Sequence, residues 1–267
     1  MHGGSYVIRL DHNACKFLIQ RRGDLTGDLE ISQNEATTSD GRLIAIGDIH
    51  GCSTALRTLL ETIAPRPQDT IVTLGDYVDW GPDGRGVIEL LIGLSKQCNL
   101  VSLLGNHEEM LLEALESDSM MRSWLELGGE ETLSSYPYQG SDDILPKEHV
   151  EFIRNCRHFY ETATHIFVHA NYDPKLRLDQ TGRTTLAWKF IDDEQDQRHV
   201  SGKTVVVGHT PQVSGLVLDL GFLICIDTDC SRGGWLTALD VRSRLVTQAN
   251  QKGQTRTAVL DQSRVKG

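Results

Sequence analysis

Three short apolar runs of strand type, RLIAIG (42–47), TIVTLG (70–75) and NLVSLLG (99–105), alternate with three segments of helical periodicity, STALRTLLETI (53–63), GVIELLIGLSK (86–96) and EEMLLEALES (108–117). In the first helical segment Leu56, Leu59, Leu60 and Ile63 fall on one face, and Ser53 is placed to cap its start. A β-α-β-α-β-α order requires parallel strands joined by right-handed crossovers. Sheets of that kind gather their reactive groups at the carboxyl ends of the strands. The residues just past each strand are chemically unusual in this chain: GDIHG at 47–51, GDYVDWG at 75–81 and GNHE at 105–108.

The second half is organised differently. Residues 118–160 read as a helical insertion, broken at Gly128–Gly129, with Pro146 as the first residue of a helix running to about Arg157. Strand signals return at HIFVHA (165–170), KTVVVGHT (203–210), FLICIDT (222–228) and WLTALDV (235–241), with helical character between them only near 184–191. A second sheet of mixed or antiparallel character is expected. Residues 1–41 read as an N-terminal extension with little structure beyond a short strand at YVIRL. Residues 42–250 read as one domain, and 251–267 as a C-terminal tail.

The strand ends together offer Asp48, His50, Asp76, Asp79, Asn106, His107, His169 and His209. Each motif alone is unremarkable, since Asp-Gly and Gly-Asn pairs are ordinary turn chemistry. Five strand ends in succession, each bearing a carboxylate, an amide or an imidazole, are not. Carboxylate, imidazole and amide oxygen form a mixed O/N donor set that suits manganese, iron or zinc better than calcium or magnesium. The donors outnumber what one ion with open positions uses. Two ions about 3.5–4 Å apart, bridged by one carboxylate, would use them all.

GDIHG, GDYVDWG, GNHE, the histidine of FVHA and that of VGHT resemble the metallophosphoesterase signature, and more narrowly the bacterial phosphoprotein phosphatases and diadenosine tetraphosphatases. The resemblance spans roughly 42–241 and includes GPDGRGVIELL and WLELGGEETLSSY. It implies an α/β fold, a four-layer α/β/β/α sandwich of two mixed sheets flanked by helices. It implies two divalent ions, manganese first with iron or zinc as alternatives. Asp48 and His50 would hold one ion, Asn106, His169 and His209 the other, and Asp76 both. His107 would be the general acid and Asp79 its partner. The implied reaction is hydrolysis of a phosphate monoester by direct attack of hydroxide, in a serine/threonine protein phosphatase acting on a phosphoprotein or small phosphoester. The alternatives are a symmetrical diadenosine tetraphosphate hydrolase and a metal-binding module with weak turnover.

One position departs from the family pattern. GDxVDRG places a phosphate-holding arginine where this chain has Trp80. Indole has one N–H donor and no charge, against five donors in a fixed fork for arginine. Trp80 therefore either packs or stacks on an aromatic part of the substrate. Either phosphate binding is weakened or another cation takes over, the candidates being Arg85, within the matching GRG segment, and then Arg183, Lys189 and Arg232.

The formal net charge of −11 over 267 residues argues against a nucleic-acid partner. It also makes an anionic substrate puzzling unless bound cations compensate locally. The six cysteines are irregularly spaced and form no CxxC pair, so reduced thiols are expected. No apolar run approaches the ~18–20 residues of a membrane span, and MHGGSYVIRLDHNACKF lacks the pattern of a signal peptide. The cytoplasm is the expected compartment.

Overall fold

The computed structural model describes residues 6–11, 16–21, 41–137, 144–192 and 197–261. The chain divides into two units, Met1–Asn34 and Glu35–Gly267. In the first, β1 (Tyr6–Asp11) and β2 (Lys16–Arg21) form an antiparallel hairpin with Tyr6 opposite Arg21. The expected strand at YVIRL is therefore present and has a partner. Cys15 and the polar stretch after Arg21 lie outside the described residues.

The second unit carries two mixed sheets. β3 (Leu43–Ile46), β4 (Thr70–Thr73) and β5 (Asn99–Ser102) are parallel, as the alternation requires. The crossovers are α1 (Ser53–Ile63) and α2 (Gly84–Ser95), and α3 (Asn106–Ala114) follows β5. Three antiparallel strands extend this sheet beyond β3: β12 (Trp235–Asp240), β13 (Leu245–Ala249) and β14 (Thr255–Val259). The second sheet runs in the order β6 (Phe159–Glu161), β7 (His165–Val168), β8 (Thr204–Val207), β10 (Leu223–Cys225) and β9 (Leu218–Asp219). Its three central strands are parallel and its edges antiparallel.

The core explains the continuous apolar runs. Alternate side chains of one strand enter different layers, because the strand period is two. Ile44 and Ile46 join a cluster with Ala55, Leu56 and Leu59 of α1 and Val87, Ile88 and Leu91 of α2. Leu43 and Ala45 face the other way, meeting Phe167, Val206 and Ile224 of the second sheet. In turn Ile166, Val168, Val205 and Val207 point outward onto Leu178 and Leu186. Three apolar layers between four layers of structure are the α/β/β/α sandwich. Strands buried on both faces read as unbroken hydrophobic runs.

Four local expectations need correction. Ser53 is the first helical residue of α1, not its cap; Cys52 occupies the cap position without a side-chain hydrogen bond. Pro146 likewise precedes its helix, α6 (Lys147–Arg154), which ends three residues earlier than expected. The FLICIDT run is two strands: β10 belongs to the second sheet, and β11 (Asp227–Thr228) pairs with β12 of the first. The chain changes sheets at Ile226, so one apolar run serves both. The segment read as a tail contains β14, whose pairing with β13 carries the first sheet past residue 250. The insertion is helical, with α4 (Asp118–Trp124), a kink within Leu125–Gly129 where Leu127 and Gly128 leave helical geometry, and α5 (Glu130–Ser135) before α6. Part of it, 138–143, lies outside the described residues. Among the described residues no helix is long and apolar enough to cross a membrane.

Candidate active site

The loops after β3, β4, β5, β7 and β8 converge at one end of the sandwich. The first two are laced together: the N–H groups of Ile49 and His50 both donate to the Asp76 carbonyl, at 2.9 and 2.8 Å, and Gly51 N–H donates to the Tyr77 carbonyl. The turns are tight enough to drive side-chain-bearing residues into the left-handed region. His50, Asp76, Asp79, Trp80 and His209 have φ of 45°, 51°, 70°, 65° and 61°. Asp and His tolerate this better than most residues, but Trp does not. Such strain persists only where the surroundings over-determine it.

At Asp76 the over-determining group is Glu108. Its buried carboxylate accepts from the N–H groups of Asp76 (2.8 Å), Tyr77 (2.7 Å), Val78 (3.3 Å) and Gly105 (3.1 Å). One side chain at the start of α3 thus gathers the second and third motif loops. The sequence suggests only a helix-start acid there. Three of the four contacts come from residues about thirty positions away and leave no local trace; the fourth, from Gly105, is local.

Around this frame lie the predicted ligands. Ligand atoms of His50, Asp76 and His107 form one cluster, and those of Asp76, His169 and His209 another; within each, the atoms lie within 4.8 Å of one another. Asp76 is common to both. The imidazoles are oriented by backbone carbonyls: His50 Nδ1 donates to Val78 O at 2.9 Å and His169 Nδ1 to Leu74 O at 2.8 Å. Their Nε2 atoms then face Asp76, each at 3.4 Å. His209 is turned the other way. Its Nε2 meets the Trp188 carbonyl at 3.1 Å, which leaves Nδ1 for the cluster. A carbonyl partner on one ring nitrogen is the usual arrangement around a metal-ligating histidine. Asn106 Oδ1 lies 3.0 Å from His169 Nε2. Asp48 is buried; its Oδ2 accepts from His209 N–H at 2.9 Å, while its buried Oδ1 has no partner among the described residues.

The electrostatics match a cation site. Burial raises the Asp48 carboxyl well above its usual range, with Asp227 and Asp76 adding to the rise. Burial pushes His50 down to about 4 and His209 to about 3, so both imidazoles are neutral, the form that binds metal. Burial opposes ionisation of Asp76 as well, but the surrounding His169, His107 and His50 hold it well below the ordinary carboxylate range. An orphaned buried carboxylate oxygen, the neutral imidazoles of His50 and His209 with anchored tautomers and an ionised shared aspartate fit a pair of divalent ions.

His107 belongs to the first cluster, and Asp48, expected there as a ligand, belongs to neither. His107 Nδ1 lies 2.7 Å from Asp79 Oδ2. Burial would lower its pKa, but the charges of Asp76 and Asp79 prevail and push it up to about 9. Asp79 is itself fixed by Trp124 Nε1–H, at 2.9 and 3.1 Å from its two oxygens, and by the Thr132 hydroxyl, which donates to Oδ1 at 2.7 Å. Thr132 and Trp124 come from the insertion and were not identifiable from the sequence. Their only signal is membership of the WLELGGEETLSSY segment.

Trp80 both packs and lines the site. Its indole stands edge-on to His107, ring centroids 6.1 Å apart, with Nε1 at 3.4 Å from His107 Nε2. That N–H needs an unprotonated acceptor, whereas the two carboxylates favour the imidazolium. The indole contact is the longest in the network, and the carboxylates outweigh it. A Cβ on Gly128 would meet Trp80 Cδ2 at 2.9 Å, and Gly128 has φ of 104°. Gly128, at the kink between the two helices of the insertion, therefore admits the tryptophan.

The cations expected to replace arginine at position 80 are dispersed. Arg85 points to Glu89, 2.7 Å away, and lines a surface hollow with Arg57, Asp83 and Leu90, none of them part of the clusters. Arg183 lies near Glu109 and His158 and shifts both. Lys189 is exposed beside Phe190, whose ring lies 4.4 Å from that of His209. Arg232 lies over the Trp80 ring, 5.6 Å from its centroid. Asp227 accepts from Asp229 N–H at 3.0 Å in the turn after β11.

The calcineurin-like phosphoesterase family profile matches residues 41–240. The chain belongs to that family. Calcineurin-like phosphoesterases are metal-dependent hydrolases of phosphoester bonds, and the family fold implies a dinuclear divalent site. Serine/threonine-protein phosphatase 1 of Salmonella typhimurium is 33% identical over 206 residues, which is 72% of this chain and 88% of that protein. A symmetrical bis(5'-nucleosyl)-tetraphosphatase of Acidovorax sp. is 42% identical, but over 73 residues, 27% of this chain and 25% of that protein. The cold-active protein-tyrosine phosphatase of a psychrophilic Shewanella sp. has the same fold, with a TM-score of 0.57 at 17% identity over 96% of both chains.

Proposed function

We propose that this calcineurin-like phosphoesterase is a phosphate-monoester hydrolase of the serine/threonine protein phosphatase type. The observation that carries the reading is a buried His107, paired through Nδ1 with Asp79 and facing a carboxylate shared by two His/Asp clusters. Long coverage by a serine/threonine phosphatase relative supports the phosphoprotein class. The tetraphosphatase likeness is higher in identity but confined to a quarter of that protein, and it keeps dinucleoside tetraphosphates as the second reading.

Asp48, His50 and Asp76 would hold one ion, and Asp76, Asn106, His169 and His209 the other, with manganese first and iron or zinc as alternatives for this O/N donor set. Two such ions supply the charge that neutralises phosphate oxygens and lowers the pKa of water towards neutrality. The chain does the rest. Backbone carbonyls of Val78, Leu74 and Trp188 keep His50, His169 and His209 turned to the centre. The His107 N–H donates to Asp76 Oδ1 at 3.1 Å and fixes that carboxylate. His107 carries the proton that the departing alkoxide takes, from Nε2. Asp79 holds Nδ1 and stabilises the imidazolium, and Trp124 and Thr132 keep Asp79 in place.

The test is hydrolysis of p-nitrophenyl phosphate, a phosphoserine peptide and diadenosine tetraphosphate with added Mn²⁺. The reading predicts turnover of the first two, with kcat down about 10²–10⁴-fold in His107→Asn. Preferential release of ADP from the dinucleotide would select the second reading. Equal turnover by wild type and His107→Asn would contradict the assignment of the acid.

A further inference from the structure

We propose that Arg232, held against the face of Trp80, is the cation that grips the substrate phosphate in this enzyme. The inference rests on the phosphoesterase reading of the site and adds a residue to it. The family pattern places an arginine at position 80; here an indole stands there, and the charge it removes must come from elsewhere or be lost. Arg85 is engaged with Glu89 on the outer face of α2. Arg232 is not engaged. Among the described residues its guanidinium makes no hydrogen bond or ion pair, and its one recorded contact is the Trp80 ring, 5.6 Å from the centroid. The side chain is exposed, and its five N–H donors are free to meet an anion.

Its position is set by the core. Arg232 ends a 3₁₀ turn, Cys230–Arg232, that follows β11. The turn is closed by N–H groups of Arg232 and Gly234 donating to the Asp229 carbonyl at 3.2 and 2.9 Å. Cys230 is buried at its start, in the same apolar cluster as Cys52, the residue that follows GDIHG. The turn is therefore anchored beside the first ligand loop. Trp80, below Arg232, is fixed from the other side by its N–H bond to the Gly128 carbonyl and by its contact with His107. The order Arg232, Trp80, His107 puts a guanidinium one indole away from the leaving-group acid. An arginine over an indole face is desolvated on one side and pre-oriented, and it keeps its edge for a bidentate oxygen contact. One arginine in the backbone loop is replaced by a two-residue device, in which tryptophan supplies the platform and a distant arginine the charge.

Arg232→Met and Arg232→Lys test this, with Lys189→Met as a competing cation. Inorganic phosphate is titrated into Mn²⁺-loaded protein by calorimetry, and p-nitrophenyl phosphate kinetics run in parallel. The proposal predicts that Arg232→Met weakens phosphate binding and raises KM roughly tenfold, the worth of one charged hydrogen-bonding contact, with kcat changed less and the melting temperature unaltered. Arg232→Lys should fall between, and Trp80→Arg added to Arg232→Met should recover phosphate affinity. Wild-type phosphate affinity in Arg232→Met would overturn it, as would a loss confined to Lys189→Met. If the wild type turned over no phosphoester, the phosphoesterase reading would fall, and the calorimetric comparison would still decide whether Arg232 holds phosphate.

Discussion

Asp79 receives two donors besides His107, and each is a separate handle on the proposed acid. Neutralising Asp79 removes a charge that favours the imidazolium. His107 is pushed up to about 9 while that charge is present, so its protonated form should be lost at lower pH in Asp79→Asn. The basic limb of the kcat–pH profile should move to lower pH, with kcat down by at least about tenfold. A limb unmoved from wild type would remove Asp79 from its role. Trp124→Phe keeps the ring and deletes only the N–H at 2.9 Å. It should lower kcat by roughly tenfold, the value of one hydrogen bond to a charged group, while the fold is retained. These two residues show where reading the sequence stops. Asp79 and His107 announce themselves by their motifs, but Trp124 lies 45 positions from its acceptor and Thr132 lies 53. A tryptophan in an amphipathic insertion looks like core until its N–H is seen to end on a carboxylate.

At the scale of elements, two carboxylates tie loops to helices. Glu108→Ala would leave the N–H groups of Asp76, Tyr77, Val78 and Gly105 without their acceptor in a buried loop holding positive φ. A loss of about 3 kcal/mol or more is expected in urea denaturation; a loss below about 1 kcal/mol would show that the loops hold themselves. Asp69, at the start of β4, is buried and takes donors from Arg42 and Arg66, while Arg42 also caps the Ile63 and Ala64 carbonyls that end α1. Burial works against the Asp69 charge, but the arginine hydrogen bonds prevail and hold its carboxyl below the usual range. A depressed carboxyl pKa adds stability above the unfolded value near 3.9 and loses it as pH falls through the folded value. Asp69→Asn should therefore cost about 2 kcal/mol at pH 7, less than a fully buried pair because both arginines reach solvent. The deficit should shrink below about pH 4. A deficit constant from pH 7 to pH 3 would contradict the ionic account. The βα alternation was readable because strands buried on both faces leave unbroken apolar runs. The sheet change at Ile226 was not, because an apolar run carries no mark of which sheet each residue joins. The pairing of β14 was not either, because its residues are exposed throughout and carry no apolar pattern.

For the whole molecule, the net charge of −11 and an anionic substrate are reconciled only at one end of the sandwich. There, the loops of both sheets bring buried carboxylates and neutral imidazoles together, and without cations the arrangement leaves Asp48 raised and partly orphaned. Ions that bind the folded chain and not the unfolded one stabilise it by mass action, about 2.7 kcal/mol at a hundredfold excess over Kd. Chelation should accordingly lower the melting temperature of wild type by several degrees and leave that of Asp76→Asn nearly unchanged. The most direct measurement is the number of Mn²⁺ equivalents bound per chain by calorimetry in wild type and Asp76→Asn. Two tight equivalents in wild type and none or one in the variant are predicted. Equal stoichiometry in both, or a single equivalent in a fully active wild type, would show that Asp76 does not join two ions.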